Sequence, residues 1–270
     1  MIDVESLVEM LTYCRPAFSD TEEEFIDTFL RPLGIHEDAF GNIWKEVGTN
    51  PNILWSSHTD TVHWTPGRQE ITINAGGMLV LKHPKVKTCL GADDTVGVWM
   101  MIEMIKADIP GLYVFHRDEE MGGGGSSYIA KHHPEFFKGI DFAIALDRKG
   151  YGDVITHQGG RCCSDDFARQ LGHMLDMVPS HQGIFTDTAN YTSLVRECTN
   201  ISVGYFNQHG PLECLDVRFA VNLLRKLLTT DFSVLRVGKT FNYFIQDNSD
   251  LVATFLEMNG FCQEDIEEWM

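Results

Sequence analysis

The chain has 270 residues, 43% of them apolar, and a formal charge of −18, which suits one sizeable α/β domain with at most a small appendage. Its 21 Lys and Arg residues against 39 Asp and Glu exclude a nucleic-acid binder, which needs a basic surface to displace counterions from phosphates. No run approaches the roughly 18 to 20 apolar residues that cross a bilayer, and MIDVESLVEM carries acids where a signal peptide carries bases, so a cytoplasmic protein without a membrane partner is expected.

Two helices are predicted at the start, the second opening at Ser19 with Glu22 three positions on, a capping-box pattern, and closing at Pro32 and Gly34. After the turn Phe40-Gly41-Asn42, short apolar runs at Asn42–Val47, Ile53–Ser57, Ile71–Asn74 and Met78–Lys82 read as strands. Helix Thr95–Lys106, strand Leu112–His116, helix Ser127–His133, strand Phe142–Leu146 and a strand near Val154–His157 follow. Then come helix Ser164–Leu175, strand Ile184–Thr186, helix Thr188–Glu197, strand Ile201–Phe206 and helix Leu215–Leu228. Alternation of this kind predicts an α/β fold of three layers, a mixed, mostly parallel sheet with helices on both faces. Ligand sites in such sheets lie beyond the carboxyl ends of the strands. Residues 1–230 read as one catalytic domain. Residues 231–270 read as an appendage packed on it, with a strand near Asn242–Ile245 and short helices in Leu251–Glu257 and Glu264–Trp269. The seven Cys are odd in number, irregularly spaced and form no CxxC pair, so reduced thiols near the core are expected rather than disulfides or a zinc ribbon.

Five segments place an acid or imidazole just after an apolar strand. His58 ends the first, with Asp60 two residues on, and a metal-bound imidazole commonly needs such an acid to orient its other ring nitrogen. Gly91-Ala92-Asp93-Asp94 precedes the helix carrying Trp99, Met100, Ile102 and Ile105; one Asp suffices for an N-cap, so the second is free to bridge cations. Asp118-Glu119-Glu120 leaves a buried strand before GGGGSS, and three adjacent acids repel one another unless cations or protons relieve them. The glycine run lacks the lysine of a phosphate loop. Asp147 ends the fourth strand and His209 follows the fifth.

In order and over roughly Asp38 to Leu228, these segments resemble the co-catalytic zinc exopeptidases: peptidase T, bacterial zinc aminopeptidases, glutamyl aminopeptidases and their carboxypeptidase and deacylase relatives. Asp38-Ala39-Phe40-Gly41-Asn42 looks like the family's D-x-x-G-N turn, and His58-Thr59-Asp60 like its H-x-D. Gly91-Ala92-Asp93-Asp94 looks like its G-A-D-D, and Glu119-Glu120-Met121-Gly122 like its E-E-x-G, with Asp147 and His209 in the places of its last two ligands. The resemblance implies a metal-dependent hydrolase of peptide or related amide bonds, foremost an aminopeptidase on short peptides. Asp93 would bridge two divalent ions, zinc or alternatively cobalt or manganese. One ion would take His58 and Asp147, the other Glu120 and His209. Glu119 would be general base, Asp60 would orient His58, and the Asp93-Asp94 peptide would be cis.

Only 34 residues separate His58 from Asp93 and 61 separate Asp147 from His209, too few for the second domains of the glutamyl aminopeptidase and peptidase T groups. A compact catalytic core is expected, with its oligomeric state open. Arg148 and Arg161 are candidates for pairing with a substrate carboxylate. Asp187 is a candidate for a free amino terminus but reads more readily as the N-cap of the next helix, Glu213 as a helix-start or supporting acid, and His132-His133 as a solvated helix end. A carboxypeptidase, an N-acyl amino acid deacylase, a single-zinc glutaminyl-cyclase-like transferase and a noncatalytic binding protein are the competing readings.

Overall fold

The computed structural model describes residues 2–238. The elements predicted at 242–245, 251–257 and 264–269, and most of the expected appendage, lie outside the described residues. No helix among the described residues is long and apolar enough to cross a membrane.

The central sheet has eight strands among the described residues. Its four inner strands, Glu197–Ser202, Phe142–Arg148, Ile53–His58 and Gly111–His116, lie side by side in that order and run parallel. Asp153–Ile155 joins Glu197–Ser202 antiparallel and carries the edge strand Val178–Ser180. On the other side Ile43–Val47 pairs antiparallel with Gly111–His116, and His36–Glu37 ends the sheet. Side chains alternate between two cores as the strand period of two requires. Ile53, Trp55, Tyr113, Phe115, Phe142 and Ile144 face one helical layer, and Leu54, Leu112, Val114 and Ala143 face Ile129 and Tyr191 on the other. The expected mixed sheet with helices on both faces is the fold observed.

Among the described residues, six α-helices surround it: α1 Val4–Met10, α2 Asp20–Phe25, α3 Ala92–Lys106, α4 Gly124–His132, α5 Asp165–Leu175 and α6 Val217–Thr229. Helix α3 is buried continuously from Ala92 to Ile105, because it lies on the two central strands and is covered in turn by α1 and α6. The approach to the sheet is closest at Gly97, where a Cβ would sit 2.1 Å from the Leu146 carbonyl and 2.5 Å from Asp94 Oδ1. Gly97→Ala should therefore cost about 3 kcal/mol through overpacking against backbone. An unchanged urea midpoint would show instead that the helix can lift away.

Several local expectations change. Ser19 caps α2, accepting from Glu22 N at 3.2 Å. The reciprocal half of the capping box is missing, because the Glu22 carboxylate is buried and serves Arg117, Thr59 and the Phe18 amide. The helix expected over Thr188–Glu197 is a short 3-10 turn, Asp187–Tyr191, and Glu197 instead begins an inner strand. Its buried carboxylate accepts from Ser164 N, the Ser164 hydroxyl and Gly238 N. The strand expected at Ile184–Thr186 is irregular loop. The one expected at Ile201–Phe206 is split: it ends at Ser202, and after Gly204 turns the chain, Tyr205–Phe206 enters a separate four-stranded antiparallel sheet with Cys214–Leu215, Leu79–Leu81 and Ile71–Ile73. Edge strands His36–Glu37 and Val178–Ser180 were too short to leave a pattern. The six described cysteines are all free thiols.

Candidate metal centre

The parallel strands bring their carboxyl ends to one edge, and the sequence-predicted residues meet there. His58 closes its strand and Asp147 stands one residue before the end of the neighbouring one. Glu119 and Glu120 occupy the turn after Gly111–His116, Asp93 opens α3, and His209 lies between the strands Tyr205–Phe206 and Cys214–Leu215. The Asp93-Asp94 peptide is cis.

Asp93 faces both imidazoles, with Oδ1 3.2 Å from His58 Nε2 and Oδ2 3.2 Å from His209 Nε2. Asp147 Oδ1 and Glu119 Oε2 lie 3.7 and 3.9 Å from the same His58 nitrogen. Glu120 Oε1 is 3.1 Å from His209 Nε2. One imidazole N–H cannot serve two carboxylates, and Glu120 Oε1 remains buried with no aligned donor. Four carboxylates thus converge on two ring nitrogens with too few protons between them. This donor set fits divalent cations, and carboxylate with imidazole suits zinc-like ions.

The surrounding groups hold these side chains. His58 Nδ1 is 3.0 Å from the Asp60 carbonyl oxygen and 3.4 Å from the carboxylate. The Asp60 carboxylate itself accepts the backbone N–H of both Glu119 and Glu120, each at 3.1 Å. Glu213, 1% exposed, accepts from Gly91 N and Asp93 N and so acts as a support rather than a ligand. Asp94 lies within ligand distance of His58 and Asp147, but its two oxygens already accept from His58 N and Gly97 N. Thr186 donates to Asp147 Oδ2 at 2.6 Å, Tyr205 donates to the Asp147 carbonyl, and Asn200 accepts from Asp147 N. These last three escaped the sequence reading, since neutral polar residues in loops and strands carry no signal of what they touch.

The electrostatics follow from burial and crowding. Burial opposes a charge on His58, but bonds to Asp147, Asp60 and Asp93 hold its pKa well above the usual imidazole value. The nearby carboxylates of Asp93 and Glu120 raise His209 to about 10. Burial works against ionised Asp93, yet His209 and His58 keep its pKa below the ordinary carboxylate value. Burial and then Asp93 push Asp147 up to about 7. Burial pushes Glu119 well up, His58 pulls it back, and Asp147 and Asp187 add to the rise.

Asp187 does not cap a helix: it is the first residue of the 3-10 turn, makes no capping bond, and is 1% exposed. Its Oδ2 lies 3.2 Å from His116 Nδ1, and it does not line the cleft, so it cannot receive a substrate amine. Arg148 lines the cleft at the cluster, whereas Arg161 lines a different one with Arg169 and His181. His132 is exposed at the end of α4, and the half-buried His133 pairs with Glu135.

No protein-family model and no curated protein matches the sequence. Solved structures do match. A tripeptidase from Staphylococcus aureus superposes with a TM-score of 0.67 at 13% identity, covering 83% of this chain and 95% of that one. Aminopeptidase PepT from Bacillus cereus gives 0.65 at 15% identity, covering 83% and 96%. The chain has the fold of these peptidases. The TET1 peptidase of Pyrococcus horikoshii shares it as well, with a TM-score of 0.60 at 16% identity over 85% of this chain and all of that one.

Proposed function

We propose that this chain is a metal-dependent aminopeptidase acting on short peptides. The observation that carries the reading is the convergence of four carboxylates and two imidazoles at the carboxyl edge of the sheet, with Glu120 Oε1 buried and lacking a donor. The fold shared with proteins named tripeptidase and aminopeptidase supports the choice of peptide substrates. The catalytic unit in this reading is residues 1–230; of the segment that follows, the described part packs on it through the Phe232 ring, which meets Trp55 at 5.1 Å.

Asp93 would bridge two divalent ions, His58 and Asp147 holding one and Glu120 and His209 the other. Bound there, such ions supply Lewis acidity that polarises a scissile carbonyl and brings the pKa of water toward about 7. Glu119 lines the cleft without being needed as a ligand. A carboxylate there can take a proton from the attacking water and return it to the leaving nitrogen. Asp60 fixes both Glu119 and Glu120 by their backbone N–H groups, so base and ligand are positioned by one side chain.

Asp60→Ala should accordingly weaken metal binding about 10- to 100-fold, measured by competition with a chromophoric chelator. The function itself is tested by offering free-amino-terminal, amino-blocked and N-acyl substrates with zinc, cobalt and manganese in turn. Metal-dependent release of the first residue from free-amino peptides is expected. Turnover confined to blocked or N-acyl substrates would replace the aminopeptidase by a deacylase or carboxypeptidase.

A further inference from the structure

We infer that Arg148 and Lys149 form a carboxylate-recognition subsite in the cleft, so that the substrates are short peptides bearing a carboxylate within reach of the metal cluster. This rests on the aminopeptidase reading above and names its substrate class. The cleft, of about 310 Å³, is lined by the four acids of the cluster and by His209, and the other charged residues lining it are cationic: Arg148 and Lys149. The acids and His209 are committed to the cluster. The two remaining cations stand in a chain whose net charge is −18, which makes their placement here more pointed.

Strict strand alternation would send Asp147 and Arg148 to opposite faces. The pairing with Glu197–Ser202 prevents that: Asn200 faces Ala145, but Ser202 faces Arg148, so one extra residue is accommodated around Leu146 and Asp147. Bulges of this kind re-aim side chains beside active sites, and both Asp147 and Arg148 line the same cleft. The Arg148 side chain is only 14% exposed, and its Nε is held 3.1 Å from Asp153 Oδ2. The terminal guanidinium nitrogens make no hydrogen bond among the described residues, leaving a fixed fork for a planar carboxylate. Lys149 follows, exposed at the mouth. No acid outside the cluster lines the cleft, and beyond the Asp153 bond to Arg148 Nε no carboxylate pairs with these two cations among the described residues.

The carboxylate can come from a free carboxyl terminus or from an acidic side chain. The test is calorimetric binding to zinc-loaded Glu119→Gln protein, which needs no turnover, with three probes: trialanine, trialanine amide, and alanyl-glutamyl-alanine amide. Trialanine should bind about ten-fold more tightly than its amide, the size of one charge-assisted hydrogen bond. Added Arg148→Gln should erase that difference and Lys149→Gln should reduce it; the exposed position of Lys149 protects the second variant from misfolding. If the glutamyl amide regains the affinity, an acidic side chain also serves; if it does not, the free terminus is the source. Equal binding of acid and amide, no binding of any probe, or a difference untouched by both variants overturns the subsite. Failure of the aminopeptidase reading shows separately, as an absence of peptide hydrolysis by the wild-type protein with metals supplied.

Discussion

Glu119→Gln protein should bind metal as the wild type does yet lose at least about a thousand-fold in kcat, the upper range of general acid–base catalysis. The expectation rests on position. Glu119 Oε2 lies 3.9 Å from His58 Nε2, further than Asp93 or Asp147, so no ligand place depends on it. The amide is isosteric and keeps the backbone N–H that Asp60 accepts, leaving the turn and Glu120 undisturbed. What it removes is the proton acceptor. Metal content by elemental analysis beside turnover on a free-amino peptide separates the outcomes. A variant that loses metal while keeping measurable activity would make Glu119 a ligand and leave the base to be sought elsewhere.

Asp93→Ala should abolish the stabilisation that metal gives to the fold. Asp93 is the group that both imidazoles approach, at 3.2 Å each, and burial and mutual repulsion raise Asp147, Glu119 and Glu120 against the pull of His58 and His209. Ions held at a thousand times their Kd stabilise a folded state by about 4 kcal/mol, a rise of several degrees in Tm for a domain of this size. Zinc should therefore raise the unfolding temperature of the wild type and much less that of Asp93→Ala, and chelator should reverse the wild-type gain. Binding must also displace the proton from His209, held up to about 10, so the gain should shrink as pH falls. Equal gains in both proteins would remove Asp93 from the centre of the site.

Much of the site is legible in the sequence because its chemistry sits at the ends of elements with strong local patterns. His58 and Asp147 end apolar runs, Glu119 and Glu120 follow one, and Asp93 stands in the first turn of the helix buried from Ala92 to Ile105. What escaped reading are the partners of the supports, which lie long stretches of chain away. Asp60 reaches 59 residues to Glu119, Glu213 reaches 120 to Asp93, and Glu22 reaches 95 to Arg117. Glu197, read as the end of a helix, begins an inner strand instead, and its carboxylate is buried among three donors that only the tertiary structure brings to it.

Taken alone, the sequence determined the alternation of strands and helices, the sheet with two covered faces, and the set of acids and imidazoles at strand ends. These are written in periodicities of a few residues, which local sterics and burial enforce. Tertiary structure decided which imidazole meets which carboxylate, which acids carry backbone amides instead, and that an extra residue beside Asp147 turns Arg148 into the same cleft. Those outcomes depend on strand order and register, fixed only when both faces of the sheet are buried together.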